Sequence, residues 1–278
     1  MCRFKGGYNP FAGSAEAAVD ALETQLTASI NEQMLADVPL GAFLSGGVDS
    51  STVVALMQSQ SPRPVRTFTI GFDQSGYDEA IHAKAVADHL GTDHTELYVR
   101  PEDALAIIPK LPSMYCEPFS DSSQIPTFLV SQMAKQHVTV ALSGDGGDEL
   151  FGGYNRYMAA RKVWGPVQRL PAFTRHAAAG LLRALSPATW DKLFDWARPV
   201  LPKRFQLSMP GEKARKLADV LMLSDGHAFY RQLTSHWTDP ASIVIGAIEP
   251  HTLFTVAAAW PKTDSLEHAM MAMDGKRR

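Results

Sequence analysis

Short apolar runs alternate with amphipathic stretches along the first half of the chain, and their order predicts the fold. Ser14 precedes a stretch in which Leu22, Leu26, Ile30 and Met34 recur at four-residue steps. That is one stripe of a helix capped by Ser14 and running to about Leu35. The apolar run Val38 to Leu44 predicts a buried strand, and Val53, Val54, Leu56 and Met57 predict the helix after it. Val65 to Phe72 alternates and is β-branched, a second strand. Asp73 to Tyr77 reads as a turn. Asp78 then caps a helix through Leu90, with Ile81, Ala85 and Leu90 inward and Gly91 as its stop. His94 to Val99 is a third strand and Glu102 to Lys110 a short helix. A helix from about Ser123 to Gln136 carries Phe128, Leu129 and Met133, and Val138 to Leu142 is a fourth strand. The alternation predicts an α/β fold, an open parallel sheet with helices on both faces.

After Arg156 the rhythm changes. Prolines 166, 171, 187, 199, 202 and 210 punctuate helical patterns, and Arg161 to Arg198 and Gly211 to Leu223 read as helices with basic, solvated outer faces. Trp164, Trp190, Trp196 and Trp237 are expected to anchor the packing of this part. The chain therefore divides into a leading loop over 1–13, an α/β domain over 14–157 and a mostly helical extension over 158–278.

Two loops interrupt the pattern with unusual chemistry. The first, Leu44-Ser45-Gly46-Gly47-Val48-Asp49-Ser50-Ser51, joins the first strand to its helix. Glycines let backbone approach a bound group, the first N–H groups of a helix have no intrahelical partner, and serines add hydroxyl donors. Phosphate suits such a loop. Asp49 would repel it unless a cation lay between them, and Mg²⁺ binds through one or two carboxylates plus substrate phosphates. A magnesium nucleotide is the expectation. The loop lacks the lysine and spacing of the kinase-type P-loop. An ordinary serine-rich turn is the structural alternative.

The second loop follows the fourth strand: Ser143-Gly144-Asp145-Gly146-Gly147-Asp148-Glu149-Leu150-Phe151-Gly152-Gly153-Tyr154. It repeats strand, serine, glycines, acids, helix, with Leu150 and Phe151 expected to anchor it. In open parallel sheets ligands sit beyond the carboxyl ends of strands where chain order reverses. If the two strands are neighbours, Asp49 and Asp148 can share one cation. A calcium loop is the alternative, but the EF-hand spacing of acids is missing.

Composition narrows the classes. The chain has 278 residues, 45% of them hydrophobic and 20% charged, enough for a substantial core. A net charge of −3 gives no global field that calls for nucleic acid or an acidic membrane. The two cysteines, Cys2 and Cys116, make no disulfide framework and no metal-ligand spacing. Six histidines after position 100 are scattered without metal spacing. No apolar run approaches the ~20 residues needed to span a bilayer. A cytoplasmic protein is the expectation.

These motifs resemble the PP-loop ATP-pyrophosphatase class. Val38-Pro39-Leu40-Gly41-Ala42-Phe43, Phe68-Thr69-Ile70-Gly71-Phe72 with Tyr77-Asp78-Glu79, Glu117-Pro118-Phe119 with Asp121-Ser122-Ser123, and Leu142 through Tyr154 with Arg156-Tyr157 are together similar to the glutamine-dependent asparagine synthetase family. The resemblance covers residues 14 to 160 closely and the remainder weakly. It implies an ATP-dependent ligase with Mg²⁺. A carboxylate such as that of aspartate would be activated as an acyl-adenylate, with pyrophosphate released, and then aminated by ammonia drawn from glutamine. It implies that Ser45, Gly46, Gly47, Ser50 and Ser51 cradle the pyrophosphate end and that Asp49 and Asp148 hold the magnesium. Leu44, Ile70, Ser143 and Gly144 would complete the ATP site. Asp145 would stand near the reacting carboxylate and amine, able to hold ammonia or take its proton.

Three departures set further expectations. The chain begins Met1-Cys2, but Arg3 follows where relatives have glycine, and too little chain precedes the first strand for a glutaminase domain. Cys116 occupies a position where an aspartate is usual. Neither glycine loop carries Lys or Arg, and the chain stops after a segment, Leu266 to Asp274, that resembles the lead-in to the family's catalytic lysine. The expectation is a fragment at both ends, its ammonia coming from a glutaminase domain elsewhere. A nucleotide-binding fragment without turnover, an amidotransferase acting on a polysaccharide-pathway carboxylate, and a tRNA-modifying enzyme with the same loop are the alternatives.

Overall fold

The computed structural model describes residues 11–72, 78–116, 121–197, 209–235, 237, 239–253, 255–256 and 260–277. The described residues form two compact units, one over Phe11–Gly147 and a second that begins at Asp148.

The first unit is built on four parallel strands in the order β3-β2-β1-β4. They are β1 (Leu40–Phe43), β2 (Arg66–Phe72), β3 (Asp93–Val99) and β4 (Val140–Leu142). β1 is shorter than its apolar run, because Val38 and Pro39 stay outside the ladder while Thr139 and Val140 donate to the Pro39 carbonyl. Helices α1 (Ala15–Met34), α2 (Val48–Gln60), α3 (Ala80–Leu90), α4 (Pro101–Ile107), α5 (Leu111–Met114) and α6 (Gln124–Ala134) connect or flank the strands. Adjacent strand residues point to opposite faces. Ala42 joins Ile30, Val54, Met57, Ala83 and Ala87 on one face, beneath α1, α2 and α3. Phe43 packs with Phe68, Met133 and Val138 on the other, beneath α6. The fold is α/β, a parallel sheet covered on both sides.

Several local expectations hold. The Ser14 side chain accepts from the Ala17 amide at the start of α1, and Gly91 ends α3 with a φ of 70°. Others are corrected. In α3 Leu90 packs on the core as expected, but Ile81 is 62% exposed and Ala85 is also outward, and the buried positions are Ala80, Ala83 and Ala87. An alanine face lets α3 lie close to the sheet, where a larger side chain would hold it off. The 73–77 turn and residues 117–120 lie outside the described residues, as does Cys2.

The second unit contains α7 (Gly147–Phe151), which starts in the first, then α8 (Asn155–Ala159), α9 (Gly165–Val167), α10 (Ala172–Arg183), α11 (Pro187–Ala197), α12 (Pro210–Leu221), α13 (Gly226–Thr234) and α14 (Leu266–Arg277). The helical stretch expected from Arg161 is punctuated at its prolines: a π-helical segment, Ala160–Trp164, leads into α9, Pro171 is the N-cap of α10, and Pro187 opens α11. Proline has no N–H to continue a helix but fits its first turn. Of the expected anchors Trp164 is buried, stacked on Phe229 with ring centroids 5.4 Å apart. Trp190 is half-buried and donates to the Leu182 carbonyl at 3.0 Å, whereas Trp196 and Trp237 are 81% and 64% exposed. Trp260, not among those expected, is buried against His227 and Tyr230.

One carboxylate ties this unit together. Asp274, 5% exposed, accepts from Arg156 Nε at 3.1 Å and Nη2 at 2.9 Å, from the Tyr157 hydroxyl at 2.5 Å, and from the Tyr230 hydroxyl. Four donors from α8 and α13 thus converge on α14.

Candidate functional site

Chain order reverses between β1 and β4. The chain moves from β1 outward through β2 and β3, then returns to pair β4 along the other edge of β1, with Leu40 opposite Val140 and Ala42 opposite Leu142. The two glycine loops leave the carboxyl ends of these adjacent strands, at the switch point where such sheets hold ligands.

The first loop is internally stapled. Ser50, 7% exposed, lies at its centre. The Ser50 hydroxyl accepts from the Ser45 amide at 3.2 Å, donates to the Gly47 carbonyl at 3.3 Å and meets the Ser45 hydroxyl at 2.9 Å. The Gly47 amide donates to the Ser45 hydroxyl at 3.3 Å. Ser45 and Ser50 therefore fix the loop's shape as well as supplying hydroxyls. Gly46 has a φ of 76°, and a Cβ there would stand 2.6 Å from the Ala83 nitrogen and 2.7 Å from the His82 Cβ. Only glycine permits both the left-handed conformation and this approach to α3.

The loop delivers the chain into α2, whose N-cap residue, Gly47, gives no side-chain cap. The helix's first amides are thus left to another acceptor. The Ser51 hydroxyl oxygen is buried and, among the described residues, has no hydrogen-bond partner. A buried donor left open is costly unless something fills it.

The second loop closes against this helix start. A Cβ at Gly144 would stand 2.7 Å from the Ser50 nitrogen and 3.0 Å from the Asp49 carbonyl carbon. A Cβ at Gly147 would overlap the Asp49 carboxylate, lying 2.8 Å from Oδ1 and 2.6 Å from Oδ2. The Gly147 amide donates to the Gly144 carbonyl at 3.3 Å, and the Asp145 amide donates to the Ser143 hydroxyl at 3.4 Å. The structure thus brings Ser45, Gly46, Gly47, Asp49, Ser50 and Ser51 together with Ser143, Gly144 and Asp145 at one sheet edge. Leu44, 1% exposed, donates its amide to the Phe68 carbonyl, and Ile70 lies two residues further along β2.

Asp148 follows Gly147 in the chain and stands in the first turn of α7. Its Oδ1 occupies the space a Cβ at Gly153 would need. Among the described residues the carboxylates of Asp49, Asp145 and Asp148 accept no hydrogen bond and form no ion pair. Unpaired carboxylate oxygens with an open hydroxyl suit a hard cation and phosphate oxygens. No group of three or more His, Cys, Asp or Glu placed to hold a metal ion gathers among the described residues. Leu150 and Phe151, expected as anchors, are 55% and 57% exposed. The Tyr154 hydroxyl instead donates to Glu149 at 3.0 Å; burial first, then this bond, raises the Tyr154 pKa above its ordinary value.

Sequence reading missed the role of Gly147. The signal was the second glycine doublet, Gly146-Gly147, which like Gly46-Gly47 stands just before a helix.

The asparagine synthase family profile matches residues 21–277, nearly the whole chain. The chain belongs to the asparagine synthase family. It is similar to asparagine synthetase [glutamine-hydrolyzing] 1 of Bacillus subtilis, 38% identical over 61% of this chain and 26% of that protein. It is also similar to a putative asparagine synthetase [glutamine-hydrolyzing] 2 of Methanocaldococcus jannaschii, 45% identical over 53% of this chain and 28% of that protein. The chain spans about a quarter of the length of these curated relatives. Among solved structures, the NH3-dependent NAD synthetase of Campylobacter jejuni overlaps loosely, at TM-score 0.35 and 14% identity over 49% of this chain and 60% of that one. Asparagine synthase family members are ATP-dependent ligases. Among the described residues no helix is long and apolar enough to cross a membrane.

Proposed function

We propose that this chain is the synthetase part of an amide-forming ligase of the asparagine synthetase type, working in the cytoplasm. Its substrates are ATP, a carboxylate such as that of aspartate, and ammonia released from glutamine by a glutaminase domain. The observation that carries this reading is the packing of the second glycine loop onto the start of α2, with the Asp49 carboxylate against Gly147 and the Ser51 hydroxyl left open.

In the reaction a carboxylate oxygen attacks the α-phosphorus of ATP and the bond to pyrophosphate breaks. Ammonia then attacks the acyl carbon of the resulting acyl-adenylate, AMP leaves, and the nitrogen loses a proton. Ser45, Gly46, Gly47, Ser50 and Ser51, with the uncapped amides of α2, receive the leaving pyrophosphate. Fixed dipoles of this kind stabilise developing charge without reorganising. Leu44, Ile70 and Gly144 line the adenosine, Ser143 completes the ATP site, and Asp145 holds the ammonia or takes its proton. Asp49 and Asp148 would hold Mg²⁺, which supplies charge neutralisation at the phosphates.

The test is isotope exchange between pyrophosphate and ATP in the presence of Mg²⁺ and aspartate, made on a full-length version of the protein. Exchange is expected, and Asp49→Ala should lower it by about 10²-fold or more, the scale of a lost transition-state contact. Exchange that Asp49→Ala leaves intact sinks the assignment. ATP binding without exchange would support a binding-only role. Exchange with other carboxylates but not aspartate would shift the acceptor to another class, such as an acid of a polysaccharide pathway.

A further inference from the structure

We propose that His82 is a phosphate-contacting residue of the nucleotide site, an imidazole donor supplied from outside both glycine loops. The inference rests on the ATP reading above and adds a residue from outside both loops.

A nucleoside triphosphate is highly anionic, and a neutral cradle beside unpaired carboxylates leaves much of that charge uncompensated. Residues 44–52 and 143–147 include no Lys, Arg or His. The nearby cations of the sheet are engaged elsewhere. Lys84, two residues further along α3, lies 3.0 Å from Glu96, and Arg66 donates to the His137 carbonyl at 2.7 Å and lies 3.9 Å from Asp93.

His82 differs from both. It lies in the first turn of α3, and the conformation of Gly46 presses the first loop onto that turn. A Cβ on Gly46 would be 2.7 Å from the His82 Cβ and 2.7 Å from its carbonyl carbon. The imidazole is therefore rooted directly beside the Ser45-Gly46-Gly47 backbone. His82 is solvent-exposed and, among the described residues, makes no hydrogen bond, ion pair or ring contact. The neighbouring Gly47 is open as well, since a Cβ there would meet nothing closer than the Ser45 hydroxyl at 3.3 Å. An imidazole is small enough to serve a phosphate at this distance and can donate from either nitrogen.

The geometry also explains the absence of a side chain at position 46. Any residue there would part the loop from α3 and move His82 away from the phosphates. Gly46 thus sets the spacing between the first loop and the His82 imidazole.

The experiment titrates the full chain with ATP and, separately, with adenosine by calorimetry, in Mg²⁺, using the unaltered chain, His82→Ala and His82→Lys. His82→Ala is expected to weaken ATP about tenfold, the scale of one charge-assisted hydrogen bond. Adenosine affinity should stay within about twofold, and His82→Lys should recover most of the ATP loss. Circular dichroism checks that the variants melt like the unaltered chain, as an exposed side chain predicts. ATP binding to His82→Ala as tight as to the unaltered chain overturns this inference alone. An equal loss for ATP and adenosine overturns it too, by assigning His82 to the base or sugar. An unaltered chain that binds no ATP overturns both this inference and the function it rests on.

Discussion

The two units treat their polar groups in opposite ways. In the helical unit Asp274 is buried and receives four donors, from Arg156, Tyr157 and Tyr230. At the sheet edge Asp49, Asp145 and the Ser51 hydroxyl are held in place with no partner among the described residues. A satisfied buried network specifies a structure, and breaking one partner is strongly destabilising. A set of positioned but unsatisfied groups does nothing for stability until a ligand arrives. The difference separates residues that hold the molecule together from residues of the proposed site, whose polar groups are left open.

Substitutions can break that comparison. The largest effect is expected at Asp274→Ala, which strands a half-buried guanidinium and two tyrosine hydroxyls. A loss of about 3–5 kcal/mol is expected, or roughly 10 °C in melting midpoint. All five tryptophans lie beyond residue 160, so their fluorescence reports the helical unit. Gly46→Ala comes next. A φ of 76° and the close approach of α3 should cost about 1–3 kcal/mol. Hydrogen exchange in α2 and α3 should register it while the tryptophan midpoint stays put. Equal movement of both would mean that the two units melt as one, and the contrast between them would lose its thermodynamic meaning.

A smaller, two-sided effect should appear with pH. Burial first, then the bond to Asp274, raises the Tyr157 and Tyr230 pKa values far above the ordinary 10.0. The folded state keeps protons that the unfolded chain releases above pH 10, so this contribution is complete below that pH and is lost as pH rises. The helical unit should therefore weaken in alkali, and Tyr157→Phe should flatten the slope seen by tryptophan fluorescence. His94 behaves in the opposite sense. Burial lowers its pKa below 6.5, outweighing the pull of Glu96, so the unfolded chain takes up protons first. The sheet unit should lose stability as pH falls below 6.5, and His94→Gln should blunt that loss in exchange of the β2 and β3 amides. The smallest expected effect is on folding at the site itself. Asp49→Ala and Asp145→Ala should leave the melting midpoint nearly unchanged, within about 0.5 kcal/mol, because neither carboxylate has a partner to lose. A large drop at either position would show that it serves the fold.

Much of the sheet unit was legible in the order of its residues. Alternation in Val65 to Phe72, the apolar run into Leu44 and the glycine after Leu90 mark elements by local rules, and the structure forms them. The pairing of the loops followed from strand order, a general property of open sheets. What local rules could not reach was direction and distance. Ile81 reads as core by hydrophobicity, yet α3 lies on its alanines and turns Ile81 outward. Trp196 and Trp237 read as anchors by size, yet they are exposed, while Trp260 and Asp274 are buried by partners far away in sequence. No spacing rule joins Arg156 to Asp274 across 118 residues. The closeness of His82 to Gly46 also depends on how α3 returns across the sheet.

The parallel pairing of β1 with β4 has a consequence for how the protein comes into being. Leu40 meets Val140, so about a hundred residues must be made before the edge beside β1 is filled. Contacts of such long range form slowly, and a growing chain presents its first segments well before the last. During that interval the start of α2 has no second loop across it and the unpaired side of β1 is bare. The two glycine loops therefore come together only after the chain has been made past residue 147, and a chain cut short before residue 140 would carry the first loop with nothing packed against the start of α2.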